Sequence, residues 1–302
     1  RAGPCTELAP FATVAFGHGW LNDGVAALPM FCAGSYEPPA RLTKLSAPAA
    51  GTAVQAHYVQ GYGNAARLAL YKTASVQLSA SIDGVPGTHG HQQHILDVSF
   101  AGHPFARAWV NHPGEDDPWG HHRPSYWAGN GIMPRVGQYD NAALMLFDIP
   151  DDHRIDFTHV YAPLDAFEIW DIRNNWLILR SGSGFAIVTP CGPLIPVTNG
   201  PGQRREFRSY GRKAGWAVIA GDLSPETDLP QIHQMLTEID LVFDSDRMIL
   251  SLRRPGAPDL MLAYDDGLTV DGKPHGFPNP SLKPEIFVGP AATLKSNALD
   301  KK

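Results

Sequence analysis

Glycine and proline punctuate this chain so often that few stretches are long enough for a helix. Thirty Gly and twenty-seven Pro fall among 302 residues, and the runs between them are short and apolar in alternation, the pattern of strands joined by turns. In "SVQLSASI", residues 75–82, Val76, Leu78, Ala80 and Ile82 alternate with polar residues, which buries one face of an antiparallel sheet. "WLILRSGSGFAIVTP", residues 176–190, sets two apolar runs about Ser-Gly-Ser-Gly and reads as a hairpin. Asp266-Gly267 and Asp271-Gly272 flank "LTV" and predict two further tight turns.

One helix is expected, in "DLPQIHQMLTEID", where Leu229, Ile232, Met235, Leu236 and Ile239 recur at helical spacing behind an Asp228 N-cap with Pro230 in the first turn. A single helix covering a sheet edge fits this pattern. The chain is therefore expected to be mainly β: a large, supersandwich-like antiparallel β-sandwich over 51–290 with one or two short helices. A connecting region over 1–50 precedes it and a tail over 291–302 follows. The connecting region holds "FATVAFGHGWLNDGVAALPMF", with His18, Trp20, Asn22 and Asp23. "GPLIPVTNGPGQRRE", residues 192–206, reads as a long loop inside the fold.

Charge narrows the partners. The net charge of −6 is spread along the chain without a Lys/Arg block, so nucleic acid and anionic lipid are not expected. No apolar run is long enough for a membrane span. Three cysteines, Cys5, Cys32 and Cys191, allow at most one disulfide, which leaves secreted, periplasmic and cytoplasmic locations open.

Seven of the thirteen histidines lie between residues 89 and 122, and such clustering is how metal sites are announced. His89 and His91 share a face if the segment is extended. They read either as a chelating pair or as polar rim residues bonded to turns. The segment that follows, "NHPGEDDPWGHHRPSYWAGNGIMPR", brings together Asn111, His112, Glu115, Asp116, Asp117, Trp119, Arg123, Tyr126, Trp127, Asn130 and Arg135. Aromatic rings beside carboxylates, amides and guanidinium groups suit a sugar, and an Arg fork suits a uronate. The alternative is a loop that caps the core, with Arg123 bonded to Asp116 or Asp117. In "REFRSYGRKAGW", residues 205–216, Arg208, Tyr210 and Arg212 would share a strand face and could extend an anionic-sugar groove; a solvated strand face is the plainer reading.

"HGHQQHILDVSFAGHPFARAWVNHPG" followed by "RPSYWAGNG" resembles the β part of the heparinase II/III-like polysaccharide lyases over roughly residues 70–290: His-x-His, a strand, a turn, a second strand, an acidic-Gly turn, and an Arg-containing segment ending in a His-Asn pair. The resemblance implies β-elimination on uronic-acid polysaccharides, or an oligosaccharide of that kind, and a zinc ion in the sandwich. It places His89 near the substrate as base or neutraliser and His91 as first metal ligand. His112 stands where the family has a metal-binding Asp. Gly129 stands where the family has the histidine of the His-Asn pair, so a ligand is lost there, while the Asn of the pair is kept as Asn130. The family's α/α toroid is not seen in this chain, so a missing toroid is an expected partner.

On that basis Arg123 or Asn130 would neutralise the substrate carboxylate and Tyr126 would act as base or acid, while Trp119, Trp127 and Arg135 line the sugar. The rival is a non-catalytic carbohydrate-binding or structural sandwich, with Trp109, Trp119 and Trp127 as a stacking platform. A hydrolase built on Glu115 and Asp117 is a third reading.

Overall fold

A computed structural model describes Ala40 and residues 48–292, except 61–65, 83–84, 89, 91–94, 104, 121, 225 and 277–284. His89, His91, His94 and His121 lie outside the described residues, as do most of the expected connecting region and tail.

The chain opens with an antiparallel meander of β1 (Thr52–Gln60), β2 (Ala66–Lys72), β3 (Val76–Ser81), β4 (Leu96–Phe100) and β5 (Arg107–Asn111). It then crosses to a second sheet through β6 (Arg135–Tyr139) and β7 (Ala142–Asp148), and returns in β8 (Phe157–Tyr161) to pair with β5. The second sheet receives β9 (Ile169–Arg173), β10 (Trp176–Ser181) and β11 (Gly184–Pro190), and the first receives β12 (Ile195–Pro196) and β13 (Glu206–Tyr210). β14 (Lys213–Asp222) inserts between β7 and β11.

After α1 (Leu229–Leu236), the strands β15 (Asp240–Asp244), β16 (Ile249–Arg253), β17 (Leu260–Ala263), β18 (Gly267–Val270) and β19 (Lys273–Pro274) form a third sheet by simple hairpins. β20 (Glu285–Pro290) closes onto β1 at the edge of the first sheet.

The expected antiparallel sandwich is present as the first two sheets, and the third sheet adds another layer. Alternation along the middle sheet explains why. Met145, Leu177, Val188, Trp216 and Val218 point into a core shared with Leu78, Val98, Val110 and Val160 of the first sheet. Leu144, Ile178, Ile187, Ala217 and Ile219 point the other way, to Leu250, Leu252, Leu260 and Leu262 of the third. A strand buried on both faces is apolar throughout rather than alternating, which is what "WLIL", "FAIV" and "WAVIA" show.

The smaller expectations are met locally. Val76, Leu78 and Ala80 are buried. Gly182, Gly267 and Gly272 all take positive φ in their turns. α1 begins with a capping box in which Asp228 and Gln231 exchange bonds. It ends before Ile239 and lies over the margin of the middle sheet, with Ile232 and Leu236 in the second core and His233 Nε2 2.7 Å from Asp171 of edge strand β9. No helix among the described residues is long and apolar enough to cross a membrane.

Candidate functional site

The outer face of the first sheet carries polar and aromatic side chains where a solvated sheet face would carry scattered charges. Period-two alternation sends Ala108, Val110, Val160 and Phe207 inward to the core and leaves Arg107, Trp109 and Asn111 of β5, Phe157, His159 and Tyr161 of β8, and Glu206, Arg208 and Tyr210 of β13 on the opposite face. Register places Tyr161 between Trp109 and Glu206, and His159 between Asn111 and Arg208. The Trp109 ring stacks on Tyr161 at 4.2 Å.

The loop over 112–134 folds down on this face, and β5 holds it there. Asn111 Nδ2 donates to the carbonyls of Gly129 (2.7 Å) and Tyr126 (3.3 Å), and the Trp109 indole donates to the Trp127 carbonyl at 2.5 Å. The loop thereby delivers Tyr126 and Trp127 onto His159: the Trp127 ring lies parallel to it at 6.0 Å and the Tyr126 ring meets it edge-on at 5.1 Å.

Beneath these rings is a four-residue network around Glu206, which is 1% exposed. Its Oε1 accepts from the Tyr126 hydroxyl (2.5 Å), Arg208 Nε (2.7 Å) and His159 Nδ1 (3.0 Å), while Arg208 Nη2 donates to the Tyr126 oxygen at 2.7 Å. Burial alone would raise the carboxyl pKa of Glu206, but the bonds from His159, Arg208 and Tyr126 outweigh it and hold the group down at about 2. Burial, then the bond to Glu206, push the Tyr126 phenol far above its ordinary value, so it stays protonated. Arg208 is also held as a cation by Glu206 against the opposing effect of burial, and its guanidinium lies 4.5 Å over the Phe157 ring. His159 Nε2 is buried and has no hydrogen-bond partner. An imidazole fixed at one nitrogen by a carboxylate that also holds a phenol and a guanidinium, with its other nitrogen unpartnered, is equipped to move a proton.

Sequence reasoning named Tyr126, Trp127 and Arg208 but missed His159 and Glu206. His159 stands outside the histidine cluster, and Glu206 closes a stretch read as loop. The available signal was the alternation of "FTHVY" and "EFRSY", which puts both on one face with aromatic neighbours.

Other candidates fall elsewhere. Arg123 is exposed and bonds the neighbouring His122 carbonyl, and Asp116 pairs instead with Arg154 at 3.0 Å. Arg135 Nε donates to the Tyr264 carbonyl, which ties it to the third sheet. Arg212 lies beyond β13 and bonds the carbonyls of Pro150 and His153, so it does not share the Arg208–Tyr210 face. Trp109 is buried while Trp119 is 68% exposed, and a three-tryptophan platform is not formed. Asn130 is fully buried.

The resemblance's segments do meet. Gly90, within the His-Gly-His stretch, donates to the Gly131 carbonyl at 3.1 Å, and Gly131 donates to the His112 carbonyl at 3.0 Å. The donor set, however, does not fit a zinc site of that type as placed. His112 Nδ1 accepts from Ile132 N and its Nε2 faces the Ile155 carbonyl, both at 3.2 Å, so neither ring nitrogen is left for a metal. Burial, foremost, drives the imidazole pKa down to about 3. At Gly129 a Cβ would come within 2.3 Å of Pro124 Cβ, so the space for a ligand side chain there is filled. Among the described residues no group of three or more His, Cys, Asp or Glu is spaced to hold a metal ion.

Comparison with known proteins returned no matching family model, no similar curated protein and no similar solved structure.

Proposed function

We propose that the chain is a polysaccharide-lyase-like protein that handles uronic-acid-containing polysaccharide by β-elimination, as the heparinase II/III-like resemblance suggests. The observation that carries this reading is the Tyr126–Glu206–His159–Arg208 network, set in an aromatic sheet face beside the segments of the resemblance.

The reaction needs a counter-charge for the C5 carboxylate, a base for the C5 proton and an acid for the departing O4. In this reading Arg208 meets the carboxylate, since its fork is partly exposed. His159 Nε2 takes the C5 proton, with Glu206 as the positioning residue that fixes its ring. Tyr126 gives its proton to O4 as the C4–O4 bond breaks and the C4–C5 double bond forms. Because Tyr126 and His159 are buried, substrate reaches them when the 112–134 loop lifts from the sheet. Zinc has no part in these steps.

The test is absorbance of the unsaturated uronate product during incubation with uronate polymers. Growth of that band, lowered about 100-fold or more by His159→Gln in a chain that still folds, is the expected result. The exposure of Trp119 and Arg123, against the burial of Tyr126, favours a second reading as a carbohydrate-binding module. Binding of the polymer without the absorbance band selects that reading. Neither binding nor product removes both.

A further inference from the structure

The loop over 112–134 covers only part of the aromatic face. Over β5 and the middle of β8 it buries the network, but the margin formed by β12 and β13 stays open. Tyr210 is 50% exposed there and Ile195 44%, and β12 ends the sheet on that side.

Register builds the open end. Ile195 stands opposite Arg208, and Tyr210 opposite Phe157. Since Phe207 turns into the core, alternation brings Ile195, Arg208, Tyr210 and Phe157 out on one face. The Arg208 guanidinium lies 4.5 Å over the Phe157 ring, and the Tyr210 ring meets that same ring at 5.5 Å and 52°. The network takes Arg208 Nε and Nη2, yet the side chain is still 26% exposed. Burial works against its charge, but bonds to Glu206 and to Tyr210 outweigh it. A fixed cation therefore reaches solvent between a tyrosine ring and a branched apolar side chain while the loop is down.

One guanidinium calls for one anion, and the surface on either side of it calls for an apolar face on the same molecule. A free phosphate supplies the charge without that face. A neutral pyranose supplies the face without the charge. A uronate has both: a ring carboxylate for the guanidinium and C–H groups that pack on Tyr210 and Ile195.

We infer that the Arg208, Tyr210 and Ile195 end of the face is a capture subsite for a uronate sugar, occupied before the 112–134 loop lifts, with Tyr210 as its specificity-determining ring. The inference rests on the uronate substrate of the preceding reading but not on elimination, since it asks only for binding.

The test is an NMR titration of the intact chain with methyl glucuronoside against methyl glucoside, which differ only in the carboxylate. Neither carries a sugar on O4, so binding is read without turnover. The expected result is saturable shifts in the amides of 195 and 206–210 with the uronate at millimolar concentration, and none with the glucoside. The Trp109 indole N–H, which holds the loop through the Trp127 carbonyl, should keep its resonance. Tyr210→Ala should weaken binding about fivefold, and Tyr210→Phe, which keeps the ring, should stay near the parent. Trp119→Ala, on the loop, should change nothing, and circular dichroism confirms that the variants fold. Equal response to both sugars, no response to the uronate, indifference to Tyr210→Ala, dependence on Trp119, or a Trp109 shift that accompanies binding would each overturn the assignment. Incubation with uronate polymers separates the two readings. An intact titration without the unsaturated-uronate band removes elimination and leaves the subsite, while the band with a silent titration removes the subsite and leaves elimination.

Discussion

Glu206, itself buried, accepts three hydrogen bonds on one oxygen, so its surroundings are built for a negative charge. Glu206→Gln strands the Arg208 guanidinium without its counter-charge and weakens the acceptor that fixes His159, and a loss of about 3–5 kcal/mol is expected, read by urea denaturation. Tyr126→Phe removes one donor and leaves the charges paired, which should cost about 1–2 kcal/mol. His112 gives a pH signature. Its folded pKa, about 3, lies below the 6.5 of the unfolded chain, so the folded state refuses a proton that the unfolded state takes. That contribution is complete above pH 6.5 and is lost progressively as pH falls towards 3. Glu206, also depressed, contributes in full above pH 4.5 and loses its share as pH falls towards 2. A His112→Asn variant should therefore show a shallower fall in melting temperature between pH 6.5 and 4.5 than the parent; an unchanged slope would contradict the assignment.

Elements were legible where one local rule decides them. Asp228, Pro230 and the Ile232–Leu236 spacing locate α1 because capping and periodicity are short-range; Ile239 drops out because the helix ends at a Thr237 cap and the chain turns to start β15. Asp228→Ala should cost about 1 kcal/mol, measurable by thermal melting, since the cap accepts the Gln231 N–H. The hairpins at Gly182, Gly267 and Gly272 were legible for the same reason. Strand partners were not. His159 meets Glu206 only because β8 pairs with β13 across the excursion through β9 to β11, and nothing local to either residue announces that pairing. Arg135 shows the reverse: its neighbours in sequence point to the sugar loop, while its strand carries it into the middle sheet.

At the scale of the molecule, the middle sheet belongs to two cores at once, and the third sheet that creates the second core was hidden in sequence because its hairpins look like more of the same sandwich. Continuous apolar runs in β10, β11 and β14 were the signal, since a sheet with one wet face would alternate. Sharing a sheet couples the cores. Leu250→Ala, in the second, should destabilise by about 2–5 kcal/mol. It should do so for the whole chain: fluorescence of Trp216, in the first core, and of Trp176, in the second, should report one coincident transition. Two separated transitions would show that the third sheet unfolds alone. The pairing of Ala56 with Ile286 also gives the fold a timetable. On a ribosome adding about 5–20 residues per second, β1 waits for roughly 10–45 seconds with its outer hydrogen-bonding groups unfilled, because the strand that occupies that slot follows it only after every other strand of the three sheets. The nascent protein therefore carries one open adhesive margin throughout that interval, and that margin is where a holding chaperone would be needed.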